Sequence, residues 1–247
     1  MGPVHQNSQE SEQNGRRKHC DSCRIRHSSI CGVLNDKELN HLNKIVQTRQ
    51  FKAGDLIISE EQPIDYFANI VSGVVKLRKI MPDGRHQIVG LLFAPDFLGQ
   101  AYKNYSSFFV EAATDVELCC FPHKKFEEML ELFPNLKHEI FEKTLNELDA
   151  AREWMVLLGR KSAEEKVADL LVMIAKRWGL IGCGNIKGLV ELPLTRSDMA
   201  DYLGLTVETV SRQFTSLKSN NIITVLDNNH IDIPDVEALA NIAGHEL

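Results

Sequence analysis

Three cysteines, Cys20, Cys23 and Cys31, stand as C-x2-C-x7-C near the start of a 247-residue chain. Two thiols three residues apart close a small chelate ring on a soft metal, and the third returns after a short loop, so the spacing is that of sulfur ligation. Tetrahedral sulfur coordination needs a fourth ligand, and the adjacent Cys119 and Cys120 are the candidates. His19 and His27 are nearby alternatives. The amino-terminal stretch from Gln6 through Glu12 is polar and lacks the apolar core of a secretory signal, which predicts a cytoplasmic protein in which disulfide scaffolding is not expected. Spacing alone leaves an iron–sulfur cluster, a four-thiolate zinc site and inert buried thiols open, although clustered cysteines in a polar arm are poor core material. Cys183, between Gly182 and Gly184, takes no role.

A second chemistry lies towards the other end, in LTRSDMADYLGLTVETVSRQFTSLKSNNII, residues 194–223. Thr195-Arg-Ser-Asp198 caps one short helix, Gly204 breaks it and Thr206 caps the next. Two helices joined by a tight glycine turn cross closely, and Ala200, Gly204 and Val210 supply the small and aliphatic residues that a helix-turn-helix needs. Glu208, Ser211 and Arg212 fall at i, i+3 and i+4 on the second helix, whose first turns would enter a major groove. Arg binds guanine bidentately, Glu accepts from cytosine and Ser meets several base edges, a good bidentate contact discriminating by about 1–3 kcal/mol. Thr195, Arg196, Thr209 and Gln213 stand where phosphate contacts are made. The plain alternative for Glu208 and Arg212 is a solvated intrahelical pair. The net charge of −6 excludes coating of nucleic acid by bulk electrostatics but leaves room for a site-specific reader of double-stranded DNA. The chain has no G-x-G-x-x-G, H-E-x-x-H, G-x-S-x-G or phosphate loop, so it is not read as an enzyme.

Holding these residues requires elements that the pattern also predicts. With 43% apolar and 25% charged residues and only short apolar runs, the chain is globular and has no membrane span. Residues 1–34 are a disordered arm, polar and basic up to about residue 18, followed by the cysteine segment. Residues 35–133 begin with a helix capped at Asn35-Asp-Lys-Glu38 and continue as short strands with glycine turns, a β-roll sensor domain in which Val74 to Ile80 and Gln87 to Phe93 form a hairpin around Pro82-Asp83-Gly84. Residues 134–160 are one long helix, with Leu136, Ile140, Leu148, Ala151, Met155 and Leu158 on a broad face for its own domain. A heptad seam, Lys143, Asn146, Ala150, Glu153 and Leu157, faces a partner in a homodimer. Residues 161–247 open with the capping box Ser162-Ala-Glu-Glu165, pass a glycine-rich turn at 181–188 and end in a winged helix-turn-helix whose wing surrounds Asp227-Asn-Asn229. The fold class is therefore α+β: an N-terminal double-stranded β-helix or jelly roll, a long dimerisation helix and a C-terminal DNA-binding domain.

Roll, long helix and winged helix-turn-helix, in that order and over essentially the whole chain from Cys20 onward, resemble the CRP/FNR superfamily of bacterial transcription regulators. Within it TVETVSR, residues 206–212, resembles the recognition helix of the FNR branch, which implies that Glu208, Ser211 and Arg212 read an interrupted palindrome of the TTGAT…ATCAA type. Val207 stands where cyclic-AMP receptor proteins carry an arginine. The resemblance also implies a cyclic-nucleotide-binding-like roll without the nucleotide. The phosphate-clamping turn would be Phe-Leu-Gly-Glu followed by an arginine, whereas here it is Phe97-Leu-Gly-Gln100 with Phe108-Phe109 in the arginine's region.

FNR proteins carry an N-terminal cysteine triplet, a remote cysteine three residues before a proline and a bound [4Fe–4S] cluster. Cys119 precedes Pro122 by three, so the resemblance implies Cys20, Cys23, Cys31 and Cys119 as ligands. Many members have five residues between the second and third cysteines and others have the seven found here. The resemblance further implies a cluster-bearing dimer that binds DNA at low oxygen and dissociates in air, and a contact of the turn Met81 to Arg85 with RNA polymerase. In the heptad seam Glu153 would face its twofold mate, and two carboxylates about 6 Å apart at an effective dielectric near 20 repel by roughly 3 kcal/mol, which predicts a marginal dimer.

Overall fold

A computed structural model describes Cys20, residues 22–178 and residues 189–245. The expected disordered arm up to residue 18, His19, the glycine-rich turn at 181–188 and Cys183 lie outside the described residues. The fold is α+β, as expected from the sequence. After a 3-10 turn at Ile30–Val33 come α1 (Asp36–Asn43), β1 (Gln47–Phe51), β2 (Leu56–Ile58), β3 (Tyr66–Ser72), β4 (Val74–Ile80), β5 (His86–Phe93), β6 (Phe97–Leu98), β7 (Phe109–Ala112) and β8 (Val116–Pro122). Helices α2 (His123–Leu132), α3 (Pro134–Arg160) and α4 (Ala163–Arg177) follow. The chain ends with β9 (Leu189–Glu191), α5 (Arg196–Leu203), α6 (Val207–Ser219), β10 (Thr224–Val225), β11 (His230–Asp232) and α7 (Val236–Ala243).

Local chemistry sets the boundaries. Asn35 and Glu38 close a reciprocal capping box on α1, and Ser162 with Glu165 does the same on α4, each pairing backbone donors that a helix start leaves orphaned. The described residues form two compact units, one of those up to Leu77 with Leu91–Glu147 and another of Arg78–Gly90 with those from Leu148 onward.

In the first unit β1-β8-β3-β6 form one sheet and β2-β7-β4-β5 the other. Strands β3 and β8 are antiparallel neighbours, with Asn69 opposite Cys119 and Ala68 opposite Cys120. Because side chains alternate across a sheet, this pair serves two cores. Ala68, Ile70, Leu118 and Cys120 join residues of the second sheet, such as Val75 and Val110, inside the roll. Phe67, Val71, Cys119 and Phe121 face the opposite way and join the cysteine segment, α1, α2 and the start of α3.

In the second unit β10-β11-β9 make a small sheet, and Asp227 accepts from the backbone N–H groups of Asn229 and His230 at the β10–β11 turn. Helix α5 ends on Gly204 in the left-handed conformation, φ 63° and ψ 40°. A Cβ there would sit 3.6 Å from Leu158, an ordinary contact, so glycine is required by the backbone alone. Gly204→Ala should therefore cost about 1–2 kcal/mol, read as a lower urea midpoint with an unchanged slope.

Candidate metal centre and nucleic-acid interface

The cysteine segment is a run of tight turns. The N–H of Cys23 reaches the carbonyl of Cys20, that of Arg26 reaches Cys23, and those of Ser28 and Ser29 reach Ile25. Ser29 then caps the 3-10 turn by accepting from the Cys31 N–H at 3.3 Å. At Gly32 the chain folds back so closely that a Cβ would stand 2.9 Å from the His27 carbonyl oxygen, so the return of Cys31 towards Cys20 depends on glycine. These turns lie against the outer face of β3 and β8.

The result is a cavity whose lining includes Cys20, Cys23, Cys31, Cys119, Arg26 and Asn69. The structure thus brings the cysteine triplet and Cys119 together. It leaves Cys120 on the opposite face, inside the roll. His27 is exposed and does not line the cavity. Among the described residues no group of three or more His, Cys, Asp or Glu could hold a metal ion as it stands. The donor set nonetheless suits a cationic, thiophilic group. Burial pushes the Cys31 thiol up to about 11, and burial together with the charges of Cys31, Cys20 and Cys23 drives Cys119 up further. These sulfurs repel one another as anions unless something positive lies between them.

The roll's interior holds a second cavity, lined by Phe97, Leu98, Gly99, Gln100 and Phe108 among others. Its described lining contains no lysine or arginine, and Glu147 contributes to it, its carboxyl held above its ordinary range by burial and then by Asp96.

On the helix-turn-helix, Ala200 and Val210 are buried at the crossing, as the motif requires. Glu208, Ser211 and Arg212 are exposed, and Thr209 and Gln213 are half-buried. The N-terminal turn of α6 is ordered by the Thr206 hydroxyl, which accepts from the Thr209 N–H at 3.2 Å, while Arg212 donates to the Thr209 hydroxyl at 3.4 Å. A backbone N–H and the Thr206 side chain hold the Glu208 carboxyl below the usual carboxylate range. Thr195 is engaged as the cap of α5, donating to Asp198 at 2.7 Å. The Arg196 guanidinium, half-buried, lies 3.4 Å over the Phe214 ring and donates to the Met199 sulfur, so it ties α5 to α6. Sequence reasoning also missed two side chains that hold the C-terminal end of α5. Gln87 Nε2 donates to the Asp201 carbonyl at 2.5 Å, and Trp154 Nε1 donates to the Tyr202 carbonyl at 3.3 Å.

Of the seam expected to face a partner, Leu157 is buried in its own chain, 7% exposed, while Ala150 and Glu153 are exposed. The broad face expected to pack on its own domain is buried at Leu136 and Ile140 but not at Leu148 or Met155. Phe141, Leu145, Leu148, Met155 and Val156 are exposed instead, on one side of α3 that stands roughly 150° from the expected seam at 3.6 residues per turn. Several phases of a helix carry heptad spacing, and only the apolar one gains by burial.

Two family descriptions match the chain: "Crp-like helix-turn-helix domain" over residues 165–242 and "Cyclic nucleotide-binding domain" over residues 48–132. A probable transcriptional activator of Rhizobium leguminosarum bv. viciae is 45% identical over 89% of this chain and 91% of its own length. The transcriptional activator protein FnrL of Cereibacter sphaeroides is 43% identical over 92% of both chains. Among solved structures, FixK2 from Bradyrhizobium japonicum superposes with a TM-score of 0.74 at 28% identity, covering 82% of this chain and 100% of that one. Among the described residues no helix is long and apolar enough to cross a membrane.

The raised thiols predict low reactivity in the metal-free protein. Only the thiolate alkylates, so at pH 8 the buried, raised thiols of Cys31 and Cys119 should react only slowly with iodoacetamide. The Cys31 rate should climb about tenfold per pH unit until about pH 11, followed by peptide mass mapping.

Proposed function

Because the chain belongs to the CRP/FNR superfamily of DNA-binding transcription regulators, with FNR-branch relatives along most of its length, we propose that it senses oxygen through a [4Fe–4S] cluster held by Cys20, Cys23, Cys31 and Cys119. The observation that carries this reading is the single cavity whose wall includes all four cysteines. Bound there, a cluster supplies positive iron to which all four sulfurs can bond as thiolates. The chain's own residues fix the three arm sulfurs through the turns around Ser29 and Gly32 and the fourth through the parity of β8. One tetrahedral zinc is the alternative. Zinc with sulfur at about 2.3 Å draws four sulfurs to within roughly 3.8 Å of one another.

With the cluster in place the regulator acts as a homodimer on TTGAT…ATCAA-type palindromes at low oxygen. Glu208, Ser211 and Arg212 meet base edges, and Thr195, Arg196, Thr209 and Gln213 meet phosphates. Dimerisation runs through Phe141, Leu145, Leu148, Met155 and Val156 of α3, the stripe that water leaves unsatisfied. The roll cavity, with Glu147 and no cation among its described lining, favours a regulator that does not bind cyclic nucleotide. The hairpin turn Met81 to Arg85, exposed except at Met81, is the surface offered to RNA polymerase.

Protein purified without air should be brown, contain about four iron and four sulfide per chain, and shift a TTGAT…ATCAA duplex in a gel. Cys119→Ser should lose both iron and the shift, and Cys120→Ser should keep both. Colourless, zinc-loaded protein would overturn the cluster.

Leu148→Glu places two carboxylates in the apolar stripe of a dimer. It should sediment as a monomer without air even when fully loaded with iron, whereas Glu153→Ala should leave the dimer unchanged.

A further inference from the structure

Strand β3 is buried along almost its whole length, and it carries an amide at its centre, Asn69, 1% exposed between Ala68 and Ile70. An asparagine is poor material for a central core strand, because every polar atom taken from water must find a partner. Asn69 is only half satisfied: Nδ2 donates to the Cys31 sulfur at 3.5 Å, while Oδ1 is buried with no hydrogen-bond partner. An orphaned buried carbonyl is destabilising, and an apolar residue of the same size would avoid it. The strand pairing places Asn69 directly opposite Cys119, and both line the cysteine cavity. Asn69 therefore touches one sulfur of the site and stands beside a second on the neighbouring strand.

We propose that Asn69 is a positioning residue for the cluster, its amide holding the Cys31 sulfur in register and drawing negative charge from it when that sulfur is bonded to iron. This rests on the cluster reading of the preceding subsection. Hydrogen bonds to metal-ligating groups orient them and tune the metal, and those to cluster sulfurs set reduction potential. Cys31 returns on a short 3-10 turn tied by the Ser29 hydroxyl on its backbone N–H, and the Asn69 amide adds a hold on its sulfur.

The test compares wild type with Asn69→Leu, near in size and without the amide, and with Asn69→Ala as a second variant. In the metal-free protein Asn69→Leu should melt no lower than wild type, since it removes the orphaned carbonyl. After anaerobic loading to equal iron and sulfide, both variants should yield iron to a chelator roughly three- to tenfold faster than wild type, the range that loss of one hydrogen bond gives. Their midpoint potentials should be more negative. A merely structural asparagine would show the reverse, a lower melting temperature with unchanged iron release and potential, and that result would overturn the proposal. If wild type itself takes up no iron, the cluster reading falls and this inference with it. If wild type loads and both variants match it, only the role of Asn69 falls.

Discussion

The alternation of side chains along β3 and β8 is the constraint on which the rest of the first unit depends. One antiparallel pair supplies the inner wall of a β-roll through Ala68, Ile70, Leu118 and Cys120, and the floor of a separate site through Phe67, Asn69, Cys119 and Phe121. A shift of one residue in either strand would exchange the two sets and turn Cys119 inward. The apolar burial on both faces opposes such a slip, so the geometry of the cysteine cavity is secured by hydrophobic contacts and not by the thiols themselves.

That arrangement explains which features the sequence disclosed. Signals confined to a few neighbouring residues were legible: the caps at Asn35, Ser162 and Thr195, the hairpin turn at Pro82-Asp83-Gly84, and the Ala200, Gly204 and Val210 crossing. The choice between Cys119 and Cys120 was not legible from pattern, because the run Leu118 to Phe121 is apolar at every position and gives no parity. It came from family resemblance, and strand register then put Cys119 alone of the two on the cavity wall. The stacking of Arg196 on Phe214 joins residues on different helices, so no local rule points to it. Asn69 did leave a trace, an amide in the run Tyr66 to Val71, whose meaning depends on the strand beside it. Helical periodicity shows how residues group, but not which group the rest of the chain already covers, and Leu157 was covered.

In the second unit the recognition helix is ordered before any ligand arrives. Thr206 fixes its first turn, Arg196 holds it against α5, and the C-terminal carbonyls of α5 receive side chains from Gln87 and Trp154. Helix ends leave carbonyls without partners, and these donors supply them. Association with DNA then carries less of the entropy of ordering than a loose helix would impose. The excess of acidic residues over the whole chain, 34 against 28 basic, is compatible with this mode, since a preformed reading head needs only local complementarity.

The cysteine cavity joins distant parts of the chain, and this carries a consequence for biosynthesis. Its amino-terminal wall ends at Cys31 and its opposite wall arrives with Cys119, about 90 residues later. At about 5–20 residues per second, translation leaves the first three thiols without their floor for roughly 4–18 seconds. During that interval a nascent arm can be oxidised or can capture a stray ion, so the enclosure forms only after the ribosome has released β8.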